Sequence, residues 1–141
     1  MKETPLFDAC SIFTLVRELK EDAPDILLEG STISLAFYEV GNTLWRESYL
    51  LKRINPEKTE ILLKTAYTIL EQMDIITFDR QPQARDILNK ACDLNLTFYD
   101  SAYLAQAYQS NKTLVTDDRK LSKAAEKCKI KTLTSQEIAP K

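Results

Sequence analysis

Five carboxylates stand where this chain changes from one kind of local pattern to another: Asp8 in F-D-A-C-S, Glu39 in Y-E-V-G-N-T-L-W-R, Asp100 in T-F-Y-D-S-A-Y-L-A, and the pair Asp117-Asp118 in L-V-T-D-D-R-K-L. There is no histidine, so imidazole triads, histidine zinc sites and histidine general acids are excluded. Cys10, Cys92 and Cys128 are too widely spaced to form a paired-cysteine metal motif or a secreted disulfide framework. Chemistry therefore falls to carboxylates, lysines, hydroxyls or a metal. Acids gathered in one small volume repel each other unless protons or a cation neutralise them, and an oxygen-only cluster open to water suits magnesium or manganese. Taken singly, each acid has a plainer reading: Asp8 as a turn former, Glu39 as a helix-surface residue, Asp100 and Asp117 as helix caps.

Convergence depends on the elements that carry these residues. T-P-L-F-D-A, residues 4–9, reads as a short buried strand with Asp8 at its end, and an apolar-periodic helix is expected from Ser11 to Lys20. Pro24 and Gly30 punctuate a loop or short helix over residues 21–30. S-T-I-S then predicts a brief strand, and Ser34 is expected to cap one long helix running on to Arg53 with Glu39 one turn in. Asn55-Pro56 is a helix start, the proline sitting where a missing N–H does no harm, and the periodicity continues to about Met73. Strands are predicted at Ile75–Phe78, Thr113–Thr116 and within residues 129–134. Helices are predicted over Gln81–Leu94, from Thr97 onward and over residues 118–129. Strands alternating with helices, without hairpin turn signals, predict a parallel sheet covered by helices. Ligands of such sheets bind beyond the carboxyl ends of the strands. Asp8 and Asp117-Asp118 stand at such ends, and Glu39 and Asp100 share that edge if their helices begin there.

The length of 141 residues suits one domain that needs no disulfide or structural metal. No apolar run approaches the roughly 18 residues of a membrane span, and Asp8 interrupts the first hydrophobic run, so an intracellular protein without a secretory leader is expected. The net charge of −2 gives no global basic field of the kind many nucleic-acid binders carry. Arg119 with Lys120, Lys123, Lys127, Lys129 and Lys131 makes a local basic cluster instead.

In order and spacing, the motifs around Asp8, Glu39, Asp100 and Asp118 resemble the acidic pattern of PIN-domain ribonucleases, in particular the VapC toxins of VapBC toxin-antitoxin pairs. The resemblance covers nearly the whole chain, and the Glu39 and Asp100 motifs are its specific part. It implies a single PIN domain over residues 1–141, an α/β fold of three α/β/α layers around a central parallel sheet of four to five strands, and homodimerisation. It also implies a cytoplasmic endoribonuclease dependent on Mg2+ or Mn2+ and restrained by a small VapB-like antitoxin. On that resemblance Asp8 and Asp100 are the primary metal ligands, and Glu39 and Asp118 complete the pocket. Asn42, Ser11, Thr116 and Asp117 are supporting candidates, while Arg46, Arg119 and Lys120 are candidates for holding the RNA backbone. The pattern of threonine, any residue, then acid selects Asp118 from Thr116 and leaves Asp117 free to cap the following helix. One departure concerns Cys10, which occupies a position where the family usually carries serine, threonine or asparagine.

Other readings of the same residues include a non-catalytic PIN-like RNA- or protein-binding domain and an RNA-processing nuclease without a toxin role. An aspartate-nucleophile phosphatase would also place acids at strand ends, but its D-x-D-x-T motif is absent, the chain having D-A-C-S-I there.

Overall fold

The computed structural model describes residues 4–140. Five parallel strands form one sheet: β1 (Pro5–Phe7), β2 (Ser31–Ile33), β3 (Asp74–Ile76), β4 (Thr113–Val115) and β5 (Thr132–Leu133), in the spatial order β3-β2-β1-β4-β5. The chain builds outward from β1 to β3 and then returns to place β4 on the other side of β1. The β1/β4 boundary is therefore the switch point at which a crevice opens above the carboxyl ends.

Helices cover both faces, in three α/β/α layers. They are α1 (Ala9–Leu19), α2 (Ala23–Leu27), α3 (Ala36–Trp45), α4 (Pro56–Leu70), α5 (Gln81–Leu94), α6 (Phe98–Ser110), α7 (Arg119–Lys127) and the short α8 (Ser135–Ile138). Helix α1 packs against α3 and α4, and α6 against α5 and α7. Leu6 and Phe7 of the central strand are fully buried, as are Leu114 and Val115 beside them, each such side chain contributing about 1.5–3 kcal/mol. These residues anchor the floor from which Asp8 emerges.

The strands are mostly shorter than the apolar runs that announce them, and β3 is shifted against the expected Ile75–Phe78: it starts at Asp74, paired with Ser31, and ends at Ile76, with residues 77–80 before α5. The caps follow local chemistry. Asn55 accepts from the Lys58 amide at 2.8 Å and Thr97 from the Asp100 amide at 3.0 Å, as expected of residues that satisfy unpaired first-turn N–H groups. Ser34 does not cap α3. Its amide instead extends the β2–β3 ladder to the Ile76 carbonyl at 3.1 Å, and the helix follows from Leu35 without a side-chain cap.

The expected continuous helix to Arg53 is also interrupted. At Trp45 it passes into a π-helical turn, Arg46–Leu50, closed by the Leu51 amide on the Arg46 carbonyl at 2.8 Å. The Ser48 hydroxyl takes the Leu44 carbonyl at 2.6 Å and so competes for the acceptor that a regular turn would use. Gly30, between α2 and β2, is required by close approach: a Cβ there would lie 2.6 Å from the Phe7 ring and from the Pro5 carbonyl.

Candidate active site

Four chain segments deliver their acids to one cavity at the carboxyl edge of the sheet. Its wall contains Asp8, Cys10, Glu39, Asn42, Thr43, Arg46, Asp100, Tyr103 and Asp118. The volume is about 120 Å³, enough to hold ordered water.

Asp8 directly follows β1 and caps α1. Its Oδ1 accepts from the Ser11 amide at 2.8 Å, and the side chain is only 6% exposed. Burial pushes its carboxyl up to about 6, against hydrogen bonds from Thr116 and Ser11 that favour the anion, and the Asp117 charge adds to the rise. Ser11 itself lies below the site. Its buried hydroxyl donates to the Asp8 and Val115 carbonyls at 2.9 and 3.0 Å and pins β1 to β4 at the switch point.

Glu39 sits in the first turn of α3, and Asn42, Thr43 and Arg46 follow it at helical spacing along the same wall. Its Oε1 accepts from the Tyr103 hydroxyl at 2.8 Å. Desolvation raises the Glu39 pKa, the phenol hydrogen bond lowers it, and the Asp100 charge raises it. Asp100, in the first turn of α6, is raised by desolvation and then by Asp118, with Thr97 and Lys120 acting in the opposite sense. Cys10 is exposed at its outer surface, but desolvation on its cavity side and then the Asp8 charge push the thiol up to about 11, which keeps it neutral.

The two neighbouring acids after β4 divide differently from the sequence expectation. Asp118 lines the cavity and is also the cap of α7, its Oδ1 accepting from the Lys120 and Leu121 amides at 2.8 and 3.2 Å. Asp117 is not the helix cap. Its two oxygens instead accept from the Ser135 amide and hydroxyl at 2.8 and 2.7 Å, fastening the start of α8. It faces a separate cavity of about 630 Å³, where Glu18 and Asp117 share the wall with Arg119. That larger space mixes charges rather than gathering like ones, so the smaller acidic cavity is the better candidate for metal chemistry.

Arg46 stands on the acidic wall, Arg119 on the neighbouring cavity, and Lys120 close enough to Asp100 to lower its pKa. Among the described residues, no three carboxylate or thiol groups are drawn together as the ready-made ligands of one ion. Local partners hold each acid: Ser11 and Thr116 for Asp8, Tyr103 for Glu39, Thr97 for Asp100, and the α7 amides for Asp118. The donor set nevertheless fits a hard divalent cation in kind. It is rich in carboxylate oxygen, and three of its acids have raised pKa values that a positive charge would bring down.

Residues 7–127 match the PIN domain family. The chain belongs to that family. A relative from Pyrobaculum aerophilum named Exonuclease VapC9 is 33% identical over 89 residues, which is 63% of this chain and 62% of the relative's length. Two solved structures share the fold of this PIN domain. PAE2754 from Pyrobaculum aerophilum superposes with a TM-score of 0.76 at 24% identity, covering 96% of this chain and 93% of its own. FitAB bound to an IR36 DNA fragment gives 0.65 at 17% identity over 98% of both chains.

Tyr103 and Thr43 are pocket residues that the sequence reading did not single out. Tyr103 lies one turn after Asp100 on α6, so helical spacing from that acid was the available signal.

Proposed function

We propose that this PIN domain is a ribonuclease of the VapC type, using Mg2+ or Mn2+ to hydrolyse RNA phosphodiester bonds and acting as the toxin of a VapBC-like pair. The observation that carries the reading is the meeting of Asp8, Glu39, Asp100 and Asp118, from four separate segments, in one small cavity at the sheet's switch point. Asp8 and Asp100 would hold the ion, and Glu39 and Asp118 would complete its oxygen set. A divalent ion bound there supplies a water of lowered pKa and charge stabilisation at phosphorus.

The chain's own groups do the rest. Arg46 holds the substrate phosphate at the acidic wall, and Lys120 and Arg119 extend the contact along the start of α7. Asn42 offers an amide on the Glu39 side. The basic residues are local to the site, in keeping with a chain of net charge −2.

The partners follow from the same reading: a homodimer, and a small VapB-like antitoxin that places an arginine among the acids in competition with the metal. Among the described residues no helix is long and apolar enough to cross a membrane, and the reading places the protein in the cytoplasm.

The test is cleavage of linear and circular single-stranded RNA by the purified protein with Mg2+, Mn2+ or EDTA. Cleavage of both substrates with either metal and none in EDTA is expected. Undiminished cleavage in EDTA would sink the metal mechanism, and cleavage of linear RNA alone would make the enzyme an exonuclease. Co-expression with a small open reading frame encoded alongside is expected to give a complex and to relieve growth arrest. If it does neither, the toxin role fails while the nuclease reading stands.

A further inference from the structure

The hydroxyl of Tyr103 is a buried polar group with an unusual partner. The residue is 1% exposed, and a phenol in such a place needs an acceptor. It donates to Glu39 Oε1 at 2.8 Å, across 64 residues of chain. Asp100 opens α6 one turn before Tyr103, and Glu39 opens α3. One hydrogen bond therefore links the two helices that deliver two of the four acids, and both of its partners line the acidic cavity.

We infer that Tyr103 is a positioning residue for the acidic site: its hydroxyl fixes the Glu39 carboxylate, and with it the spacing of α3 and α6, ready to share a divalent cation with Asp100. The inference rests on the metal-site reading above. Two features of the bond support it. Donation to a carboxylate is charge-assisted and stronger than donation to a neutral acceptor. It occupies one named oxygen, Oε1, so the orientation of the carboxylate is restricted. Glutamate has three side-chain torsions to fix, and an unheld one would lose its reach into the cavity for most of the time.

Tyr103→Phe removes one oxygen and keeps the ring in the core, so the melting temperature is expected to stay within a few degrees of the wild type. Partners that orient metal ligands typically alter affinity by about 10–100-fold when removed. Calorimetric titration with Mn2+ should show weakening in that range, and RNA cleavage should need correspondingly more Mn2+, with much of kcat restored at saturating metal. Glu39→Asp, which keeps the charge but withdraws it from the phenol, should behave alike.

Crystal structures of the metal-free wild type and Tyr103→Phe give a readout that needs neither metal nor RNA. Glu39 should be single and hydrogen-bonded in the first and rotated or multiple in the second. An unmoved Glu39 together with unchanged Mn2+ affinity would show that Tyr103 merely fills the core. A wild type that binds Mn2+ but leaves RNA intact would defeat the nuclease reading while the Mn2+ and crystallographic comparison still judges Tyr103.

Discussion

The β1–α1 and β4–α7 junctions use one device in two settings. In each, the chain leaves a buried strand and an aspartate caps the next helix: Asp8 accepts the Ser11 amide, and Asp118 accepts the Lys120 and Leu121 amides. Asp8 is buried and its carboxyl is pushed up to about 6, whereas Asp118 is exposed. Thr116 joins the two, accepting the Asp118 amide at 3.1 Å and hydrogen-bonding Asp8. Capping a helix and lining the acidic cavity are therefore compatible roles of one side chain. A cap fixes a carboxylate against the backbone while its charge faces the cavity, and depth of burial decides how large a desolvation cost that charge carries.

The sharpest way to break this comparison is to neutralise the buried member. In Asp8→Asn the amide oxygen can still cap α1, since asparagine serves as well as aspartate there, but the charge is gone. RNA cleavage is expected to fall by about 100-fold or more. The metal-free protein should melt at an equal or higher temperature at pH 7.5, because a desolvated anion has been removed. Retained activity would remove Asp8 from the metal site, and a large fall in melting temperature would show that its anion stabilises the fold.

The pH dependence of wild-type stability tests the same asymmetry. The folded-state pKa of Asp8, about 6, lies above its ordinary 3.8, so between these values the folded protein binds more protons than the unfolded chain. The contribution is fully present below pH 3.8 and is lost as pH rises through 6. It amounts to about 3 kcal/mol at 1.36 kcal/mol per pH unit of difference. Denaturant titrations of the metal-free protein from pH 7 to 4.5 should show about 2 kcal/mol of this gain on acidification, and Asp8→Asn should lack it. Equal slopes in the two proteins would overturn the assignment.

Much of this arrangement could be read before any coordinates. Pattern and cap chemistry placed α5 at Gln81–Leu94 and started α4 after Asn55, because both depend on residues a few positions apart. The acids at strand ends were legible for the same reason, and the order of the motifs tied them to one family. What stayed hidden depends on distant partners or on side-chain bonds that the apolar pattern does not register. The Glu39–Tyr103 bond spans 64 residues, and no local rule pairs them. The π-helical turn arises where Ser48 bonds back to Leu44, which leaves the apolar periodicity unchanged. The choice of Asp118 for the pocket was legible in the spacing after Thr116, but its second role as the cap of α7 was not, because Asp117 is taken instead by Ser135, in a short helix that no apolar pattern announced.

That choice gives the smallest and most discriminating prediction. Asp118 joins cap and site in one side chain, so two substitutions separate its roles. Asp118→Asn keeps an acceptor for the Lys120 and Leu121 amides and should leave the melting temperature unchanged while lowering RNA cleavage. Asp118→Ala should lose the same activity and in addition about 1 kcal/mol of stability with the cap. Asp117 contributes elsewhere: replacing it by alanine releases both oxygens' hold on Ser135, at about 1.5–3 kcal/mol for the lost hydrogen bonds to a charged group. Its charge touches the site weakly, as the smallest cause that raises the Asp8 pKa, so cleavage by Asp117→Ala should remain within about twofold of wild type, the scale of a surface change of roughly 0.5 kcal/mol. Parallel melting curves and cleavage rates for the three variants decide the matter. A larger rate loss at Asp117 than at Asp118 would reverse the assignment, and equal stability losses in Asp118→Asn and Asp118→Ala would show that the cap itself requires the charge.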